Sequence, residues 1–527
     1  MTGSSLAQKR ARERLIAGHC QGGSPEMASM RSRQVLPGKP ESCWTATAPK
    51  TSYPKLSGSQ KAEVVVVGAG IVGVTAAYLL REAGVSVALV EARRIGRQVT
   101  GRSTAKITTQ HSLIYRYLID IFGLQTARHY ADANRLGMNQ IRQWVEQLGI
   151  ACAFAAKDAY VYCNDSSRLG ELEAEAEASR QAGLDSEVLE AAPLPFATCG
   201  ALRSRDQAQF NPAQYLIGFA KAAEAAGVLV FEETRVTSVE EKDGWHLKAG
   251  RASIHGESVV LATAMPIAGP VRYDKRSRPR SHICMAFRVD AGAAIDGMFI
   301  GVDEPTHSLR MGRDGDGLLL VVLGAKFVTG LEGDIAKHFR ELEAWTRQNL
   351  EVGDVAWRWV NEDYDTPDRL PLVGASADAP GLYIATGFNA WGISNGTAAG
   401  ILIAQQILGN SPPWASIYDP ERKLSEKFNK GGNSQSVVRS LDDIASGEGG
   451  VMNLGQGKIA VWKGDDGVPH AVSASCTHEG CIVTWNNADR TWDCPCHGSI
   501  FTADGSVIHG PAVEPLPPRK LPPNWLR

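Results

Sequence analysis

The 527-residue sequence has no uninterrupted apolar run long enough to cross a membrane. A membrane-spanning helix needs about 20 consecutive, mostly apolar residues, and every apolar run in this chain is shorter than that. Residues 1–40 also lack the apolar core of a signal peptide and are rich in Ser, Gly, Lys and Arg. We interpret them as a disordered extension, and we expect a cytoplasmic protein without a transmembrane segment.

A surplus of positive charge is lacking as well. The chain has 55 Lys and Arg against 57 Asp and Glu, a formal net charge of −2. Proteins that bind the phosphate backbone usually carry a basic surplus, so we expect no nucleic-acid partner. Cysteines outside the C-terminal region follow no pattern, as is typical of reduced cytosolic thiols. They are Cys20, Cys43, Cys152, Cys163, Cys199 and Cys284.

Two short C-terminal segments concentrate the residues that bind metals. Residues 476–481 read CTHEGC and residues 494–499 read CPCHGS. Each segment offers a Cys and a His at close spacing, so two thiolates can hold one iron and two imidazoles the other, the mixed ligation of a Rieske [2Fe-2S] centre. A tetrahedral zinc cage is the alternative, although zinc modules usually present CxxC or HxxxH pairs.

These two segments resemble the cluster-binding loops of the Rieske family almost letter for letter. The resemblance implies four cluster ligands: Cys476, His478, Cys494 and His497. It also implies a disulfide between Cys481 and Cys496, which clamps the two loops together in the quinol-oxidising branch of the family.

Two neighbouring residues bear on the reduction potential of such a cluster. Ser499 supplies a hydroxyl that can donate to a cluster sulfur. Phe501 stands where high-potential relatives carry a Tyr whose hydroxyl donates to a ligand sulfur. Because hydrogen bonds to the sulfurs favour the reduced, more negative cluster, Phe501 predicts a potential below the top of the Rieske range.

A second pattern, near residue 70, predicts a nucleotide-binding βαβ unit. The apolar stretch 63–67 runs into GAGIVG at 68–73, then a small-residue helical stretch at 74–83 and a strand at 86–90 that ends in Glu91. Glycines there let the backbone approach a pyrophosphate at the helix N-terminus, and Glu91 can bind both hydroxyls of an adenosine ribose. A Gly-rich helix start without a ligand is the alternative.

Several later segments identify the nucleotide as FAD by resemblance. Residues 100–106, TGRSTAK, follow the βαβ unit, while residues 368–374, DRLPLVG, and 387–396, GFNAWGISNG, precede a small-residue helix. From about residue 40 to 420 the chain resembles the D-amino-acid oxidase / glycine oxidase superfamily of FAD enzymes. In that superfamily the N-terminus of the closing helix points at the pyrimidine edge of the flavin and stabilises the anion of the reduced ring.

The resemblance also implies which residues contact FAD. They are Gly68, Ala69, Gly70, Gly73, Glu91, Ala92, Arg93, Thr100, Gly101, Arg102, Ser103, Thr104, Val236, Thr263, Gly387, Trp391, Gly392 and Ile393. Three further residues are catalytic candidates. Lys106 and His111 lie where the chain should pass near the ring, although each is as readily a structural hydrogen-bonding partner. Arg310 would pair with a substrate carboxylate, unless it is an ordinary surface residue.

The length of the chain predicts two or three domains. We expect an α/β FAD-binding domain of the Rossmann-like, glutathione-reductase type, an antiparallel-sheet substrate domain and a C-terminal all-β Rieske domain. The expected ranges are 1–40 for the extension, 41–411 for the FAD-dependent part, 412–436 for a linker and 437–520 for the Rieske domain. Within 41–411 we assign 61–112, 213–265 and 366–410 to nucleotide binding, and 113–212 and 266–365 to the substrate domain.

Periodicity predicts the elements between the two flavin motifs. We expect helices at 124–148, 166–182 and 213–226, and strands at 229–231 and 234–240. Extended segments at 283–289, 298–302 and 318–323 are consistent with the sheet on which this superfamily builds its substrate site.

Together these features predict a dehydrogenase, and the superfamily resemblance implies that its substrate is an amine or amino acid. Substrate would give a hydride to the flavin, which would pass single electrons through the cluster to a quinone or an electron-carrier protein. The exposed His ligands of the cluster would be the exit. A non-catalytic flavin and iron-sulfur relay, and an amine oxidase that uses O₂ and carries a structural or regulatory cluster, remain alternatives.

Two other classes of redox protein fit less well. A Rieske oxygenase would need a mononuclear iron held by two His and a carboxylate, and the histidines outside the cluster loops form no close pair with a nearby acid. An NAD(P)H reductase would need a second dinucleotide fingerprint, and the sequence has one GxGxxG.

Overall fold

The computed structural model describes residues 35–267, 269, 273, 275–424, 428, 437–454 and 457–521. Most of the predicted extension at 1–40 and about half of the predicted linker at 412–436 lie outside these residues. No helix among those described is long and apolar enough to cross a membrane.

The described part of the chain contains ten α-helices. They are α1 (Cys43–Thr47), α2 (Ile71–Glu82), α3 (Val99–Arg102), α4 (Tyr115–Phe122), α5 (Leu124–Gln147), α6 (Leu169–Gln181), α7 (Pro212–Ala225), α8 (Ile335–Asn349), α9 (Ser394–Ile407) and α10 (Ala415–Tyr418).

The strands before residue 411 form three sheets. They are β1 (Ser59–Lys61), β2 (Val64–Val67), β3 (Val87–Val90), β4 (Lys106–Ile107), β5 (Ala155–Cys163), β6 (Ser186–Leu189), β7 (Gly200–Gln209), β8 (Leu229–Phe231), β9 (Ser238–Glu241), β10 (Trp245–Ala249), β11 (Ala252–Gly256), β12 (Ser258–Leu261), β13 (Arg278–Arg288), β14 (Met298–Gly301), β15 (Ser308–Asp314), β16 (Gly317–Val328), β17 (Val355–Asp365), β18 (Leu372–Ala375) and β19 (Leu382–Thr386).

The strands after residue 436 form two more sheets. They are β20 (Val437–Val438), β21 (Gly449–Asn453), β22 (Lys458–Lys463), β23 (Pro469–Ser473), β24 (Thr484–Asn486), β25 (Thr491–Asp493), β26 (Ile500–Thr502) and β27 (Val507–His509).

The nucleotide-binding sheet has the strand order β18-β19-β12-β2-β3-β8, and its pairs are parallel except β18 with β19. All four valines of β2 are buried, as expected of a strand covered on both faces. Helix α2 packs against the turn after β2 because Gly73 has no side chain. A Cβ on Gly73 would lie 1.9 Å from the carbonyl oxygen of Gly68.

A nine-stranded sheet, with the order β17-β13-β16-β15-β14-β5-β7-β4 and β6 beside β7, lies next to this domain. Its pairs are antiparallel except β14 with β5. Strand β4 belongs to this sheet although we expected residues 61–112 in the nucleotide-binding part. The chain therefore crosses between the two parts at Lys106, before the residue where we placed the boundary.

The C-terminal region is all-β, with the two four-stranded sheets β20-β21-β22-β23 and β24-β25-β26-β27. Aromatic residues fill its core, and Trp485 and Trp492 pack edge to face at 4.8 Å between ring centroids. Backbone hydrogen bonds close each cluster-loop segment on itself, from the N–H of Cys476 to the carbonyl of Cys481 and from the N–H of Cys494 to the carbonyl of Ser499, both at 2.8 Å.

The elements expected from periodicity agree with α5, α6, α7 and β8 within a few residues. The strand expected at 234–240 is shorter, because β9 begins at Ser238. Thr234 and Val236, which precede it, line a cleft in irregular backbone. Alternation of side chains in this segment reflects contact with the cleft rather than pairing in a sheet.

The close packing of α5 against α9 can be tested at Gly137, with Gly170 in α6 as the control. A Cβ on Gly137 in α5 would lie 2.4 Å from the carbonyl oxygen of Ser394 in α9, whereas a Cβ on Gly170 in α6 meets nothing within 4 Å. We expect Gly137→Ala to cost about 1–3 kcal/mol through overpacking and to lower Tm. Gly170→Ala should leave Tm unchanged or raise it, since it removes only unfolded-state entropy. Equal Tm values in a calorimetric scan would contradict the close helix contact.

Candidate functional site

A long cleft runs from the Gly-rich turn after β2 to the first turn of α9. Fifteen of the eighteen residues that the resemblance assigned to FAD line it: Gly68, Ala69, Gly70, Glu91, Ala92, Arg93, Thr100, Gly101, Ser103, Thr104, Val236, Thr263, Trp391, Gly392 and Ile393. Residues far apart in the chain thus meet in one elongated cavity, as an extended dinucleotide requires.

Three of the assigned residues do not line the cleft. Gly73 lies behind the Gly-rich turn, where it allows α2 to pack. Gly387 takes a φ of +74° in the turn before α9, and a Cβ there would meet Thr366 at 2.4 Å. Arg102 turns away from the cleft and forms an ion pair at 3.3 Å with Asp489 of the C-terminal region. In this structure these three residues therefore support helix packing, a turn and a contact between domains.

The carboxylate of Glu91 is held at the nucleotide end of the cleft by backbone donors. Its Oε2 accepts the N–H of Ala69 at 3.0 Å and its Oε1 accepts the N–H of Arg93 at 2.9 Å. Burial raises the pKa of Glu91, while these hydrogen bonds and Arg235 oppose the shift. A carboxylate oxygen can accept more than one hydrogen bond, so both oxygens remain able to accept the two hydroxyls of a ribose.

Two helices begin at the cleft and suit the negative parts of FAD. The first turn of α2 follows Gly70, which has no side-chain cap, and the first turn of α9 follows Gly392 and Ile393. Unsatisfied N–H groups at a helix N-terminus attract phosphate and stabilise anions. Together with Glu91, these features fit FAD in an extended conformation.

His111 lies in the cleft with both ring nitrogens occupied. Its Nδ1 is 2.5 Å from the hydroxyl of Tyr130, its Nε2 is 2.9 Å from the carbonyl oxygen of Thr108, and its ring stacks on Trp391 at 4.7 Å. Burial lowers the pKa of His111 to about 3. Nε2–H donates to the carbonyl and Nδ1 accepts from the hydroxyl of Tyr130. The neutral ring therefore has no free lone pair for a substrate proton, and it fixes the position of Trp391 in the wall of the cleft.

Lys106 also lines the cleft, but its ammonium group points into the nine-stranded sheet. Its Nζ donates to the carbonyl oxygen of Phe299 at 2.5 Å and to the hydroxyl of Ser308. Burial, with a smaller effect of the Arg310 guanidinium, lowers the pKa of Lys106 to about 7.

The structure does not bring Arg310 to the cleft. Its side chain is 2% exposed, stacks over Trp44 and donates to the backbone carbonyls of Ala105, Phe210 and Met311. An Arg in a strand pattern gives no sign of which backbone carbonyls will surround it. A substrate carboxylate would have to displace these partners, so Arg310 holds β4 to β15 in this structure.

Sequence reasoning missed several polar residues that line the cleft. His282 on β13 and Asn361 on β17 are register partners and both are buried there. No hydrogen-bond partner for Asn361 Oδ1 occurs among the described residues. This orphaned acceptor belongs to a residue that lines the cleft, and it can accept a hydrogen bond from FAD or a substrate. The sequence feature that could have indicated these residues is the polar run Asn361-Glu-Asp363 at the end of an aromatic-rich strand.

The four predicted cluster ligands meet at one end of the C-terminal region. The Nδ1 atoms of His478 and His497 are 3.2 Å apart, with their rings at 88°. Two nitrogens bound at 2.0–2.1 Å to one tetrahedral metal lie about 3.3–3.4 Å apart, so both atoms are placed to bind a single iron. The thiols of Cys476 and Cys494 hydrogen-bond each other, and this contact lowers the pKa of Cys476 to about 7.

Cys481 and Cys496 form a disulfide between the two cluster loops. The hydroxyl of Ser499 contacts Cys476, and Ser499 Oγ accepts the N–H of Ala512 at 2.9 Å. The hydroxyl proton is therefore free to be donated to sulfur, as expected. The disulfide removes two of the four thiols, which rules out a zinc cage built from all four cysteines.

One expectation about this centre is wrong. We expected exposed His ligands, but His497 is only 3% exposed and His478 is half-buried. The hydroxyl of Tyr364, on β17, donates to the backbone carbonyl of His497 at 3.0 Å. A Cβ on Gly498 would lie 2.9 Å from that same hydroxyl oxygen. The cluster loop is thus packed against the nine-stranded sheet, and only the His478 side faces outward.

Comparisons with known families agree with this geometry. The family profile for FAD dependent oxidoreductases matches residues 63–406. The profile for the Rieske [2Fe-2S] domain matches residues 434–520. The donors in the cleft and the four ligands of the C-terminal loops therefore lie within the two matched regions.

Individual proteins are similar to most of this chain or to its larger part. A putative Rieske 2Fe-2S iron-sulfur protein, YhfW of Bacillus subtilis, is 28% identical over 90% of this chain and 97% of its own length. Gamma-glutamylputrescine oxidoreductase of Escherichia coli is 24% identical over 70% of this chain and 89% of its length. The crystal structure of glycine oxidase from Geobacillus kaustophilus superposes with a TM-score of 0.59 at 18% identity, covering 69% of this chain and all of that one.

Removing the Glu91 carboxylate should release FAD. Each hydrogen bond to a charged group contributes on the order of 1.5–3 kcal/mol, so Glu91→Ala should purify largely without flavin, and Glu91→Gln, which keeps one acceptor, should retain more. Visible absorbance of the purified proteins gives the FAD content. Normal FAD content in Glu91→Ala would show that the carboxylate does not contact the ribose.

Replacing cluster ligands should abolish the Rieske signal and spare the flavin. Cys476→Ser and His497→Ala each exchange a ligand for a side chain that cannot replace it. Both variants should lose the Rieske EPR spectrum and keep FAD. Cys199→Ser, at an exposed free cysteine, is the matched control and should keep both. A full Rieske spectrum in either ligand variant would overturn the assignment.

Proposed function

We propose that this chain, which belongs to the FAD dependent oxidoreductase family and carries a C-terminal Rieske [2Fe-2S] domain, oxidises the C–N bond of an amine or amino acid and sends the electrons through the cluster. One observation carries the electron route. Ile508, His509 and Gly510 of the Rieske domain line the same cleft as the FAD-binding residues.

Similarity to characterised proteins supports the amine substrate. Gamma-glutamylputrescine oxidoreductase and glycine oxidase are both named for nitrogen-bearing substrates. L-proline dehydrogenase from P. horikoshii also shares the fold, with a TM-score of 0.56. A relative named as a dehydrogenase on this fold supports a reaction in which the acceptor need not be O₂.

A second cavity adjoins the cleft at His111 and Trp391, and we assign it to the substrate. Its lining contains many acidic and many basic side chains, which suits a zwitterion better than an apolar amine. Arg280 on β13 supports a carboxylate anchor there. Its Nε is 3.1 Å from Asp365, yet its buried Nε and Nη2 make no well-aligned hydrogen bond within the described part of the chain. A substrate carboxylate would supply acceptors to this guanidinium.

Bound FAD supplies a hydride acceptor, and the side chains around it determine what the protein adds. His111 stays neutral and orients Trp391. Asn361 Oδ1 offers an acceptor for an ammonium or amine N–H. With no free base among these residues, we propose that the ammonium group of the substrate loses a proton to water as it enters the cleft, and that the neutral amine then gives its hydride to the flavin.

The acceptor beyond the cluster is a quinone or an electron-carrier protein in this proposal. His478 is the outward-facing ligand, so electrons would leave on that side. The cytoplasmic location and the absence of a nucleic-acid partner remain predictions from composition.

Measuring which electron acceptor supports turnover distinguishes a dehydrogenase from an O₂-dependent oxidase and from a non-catalytic electron relay. An anaerobic screen of amines and amino acids for loss of flavin absorbance identifies the substrate, after which turnover is measured with ferricyanide, a soluble quinone or O₂. Turnover with ferricyanide or quinone should exceed turnover with O₂. Cys476→Ser should lower it about tenfold or more, the usual scale for damage to a metal site, while substrate still reduces its flavin.

Cys199→Ser should behave as the unmodified chain. Equal O₂-driven rates in all three proteins, with no gain from the other acceptors, would identify an oxidase with a structural or regulatory cluster. Failure of every amine to reduce the flavin would favour a relay.

A further inference from the structure

Strand β17 separates the flavin cleft from the Rieske domain and contacts both. Its side chains alternate between the two faces of the nine-stranded sheet, as in any strand. On one face Trp359 donates to the carbonyl of Arg102 at 2.7 Å, Asn361 lines the cleft, and Asp363 accepts the N–H of Ala390 in the turn before α9. This face belongs to the flavin side.

The opposite face of β17 contacts the Rieske domain, and Glu362 on this face also lines the flavin cleft. Arg358 donates to the carbonyl of Ala488 at 3.1 Å, and Val360 packs in the same apolar cluster as Ala488. Further along the strand, Tyr364 donates to the carbonyl of His497 at 3.0 Å. One strand thus has the flavin cleft on one side and a cluster ligand on the other.

His509 lies between the flavin cleft and Tyr364. It lines the flavin cleft, and its Nε2 lies 3.4 Å from the hydroxyl oxygen of Tyr364. Because the single O–H of Tyr364 donates to His497, His509 must carry its proton on Nε2 to donate to that oxygen. Its Nδ1 then faces Glu362 Oε2 at 3.9 Å. The connection runs from the buried side chain of His509 through that of Tyr364 to the backbone carbonyl of the cluster ligand His497.

We infer that His509 and Tyr364 form the electron-transfer bridge between the reduced flavin and the cluster ligand His497. This inference rests on the proposed function. Each passage removes one electron from the flavin and reduces one ferric iron of the cluster to ferrous. The second passage follows after the cluster has given the first electron to the external acceptor, and the proton released on flavin reoxidation leaves to water. The two residues position and couple the centres without being oxidised or reduced themselves.

The charge state of the bridge agrees with such a role. Burial raises the pKa of Glu362 to about 8 and lowers the pKa of His509 to about 4. Arg93, Arg102 and Arg235 face His509 and add to its shift, while Arg102, Asp489 and Asp493 act on Glu362. The pair is therefore neutral near pH 7, and no proton has to cross the bridge with each electron.

The test uses the full chain with both cofactors bound. Laser-flash reduction with a deazaflavin donor delivers electrons to the flavin, and the flavin absorbance and the Rieske signal are followed in time. Tyr364→Phe keeps the ring and removes the hydroxyl that contacts His497. It should slow flavin-to-cluster transfer by about tenfold or more, the scale seen when a group that supports a metal ligand is lost. Flavin and iron contents should stay unchanged.

Tyr162→Phe is the matched control, since Tyr162 is also buried and its hydroxyl faces the carbonyl of His307, at 3.5 Å, away from the cluster. It should transfer electrons at the unmodified rate. Should Tyr364→Phe fail to hold its cluster, His509→Gln decides the question from the other end of the bridge, and the same slowing is expected there.

Unmodified rates in Tyr364→Phe, or in His509→Gln where that variant decides, would overturn the bridge and leave the proposed function intact. Absence of flavin-to-cluster transfer in the unmodified chain would overturn the proposed function, and the bridge with it. The two failures are therefore distinguishable.

Discussion

The hydrogen bond from Tyr364 to the backbone carbonyl of His497 is the contact on which the arrangement of this protein depends. It joins the edge strand of the nine-stranded sheet to the loop that carries two cluster ligands. Both groups are buried, so leaving either unpaired would cost about 1–3 kcal/mol. This penalty favours the docked position of the Rieske domain over any position in which the loop is merely close.

Docking of the Rieske domain on β17 determines which cluster ligand is exposed and which residues complete the flavin cleft. A cluster loop with one buried His presents only the His478 side to an external acceptor. The flavin cleft, in turn, is completed by Ile508, His509 and Gly510 from the Rieske domain. Arg102, which the resemblance assigned to FAD, instead pairs with Asp489 and ties the two domains together. The flavin part is therefore not a complete site without the Rieske domain.

The sequence was sufficient to predict the two cofactor-binding regions because their chemistry depends on local spacing. Gly68 and Gly70 mark the tight turn, Glu91 ends the next strand, and the CxH and CPCHGS segments carry both kinds of ligand. Each of these signals lies within a few dozen residues and requires no knowledge of how distant elements pack.

The remaining features depend on which distant surfaces meet, and local spacing does not encode that. Nothing in the letters around Arg310 shows that three backbone carbonyls surround it. The contacts of β17 on both of its faces were hidden for the same reason, since the partners of Arg358, Trp359 and Tyr364 lie more than a hundred positions away in the sequence.

The charges around β17 explain how an electron can be accommodated on both of its sides. Adding one electron to a buried cluster adds a negative charge in a medium of low dielectric constant, where uncompensated charge is costly. Arg93, Arg102 and Arg235 lie close enough to His509 to lower its pKa, so their positive potential extends over the strand. Burial raises the pKa of Glu362 to about 8, so this carboxyl is protonated near neutral pH and does not oppose that potential. Burial raises the pKa of Asp363 to about 6, so this carboxyl is mostly ionised near pH 7 and offsets part of it. The three guanidinium groups favour added negative charge near His509, and the neutral pair of Glu362 and His509 adds no charge of its own.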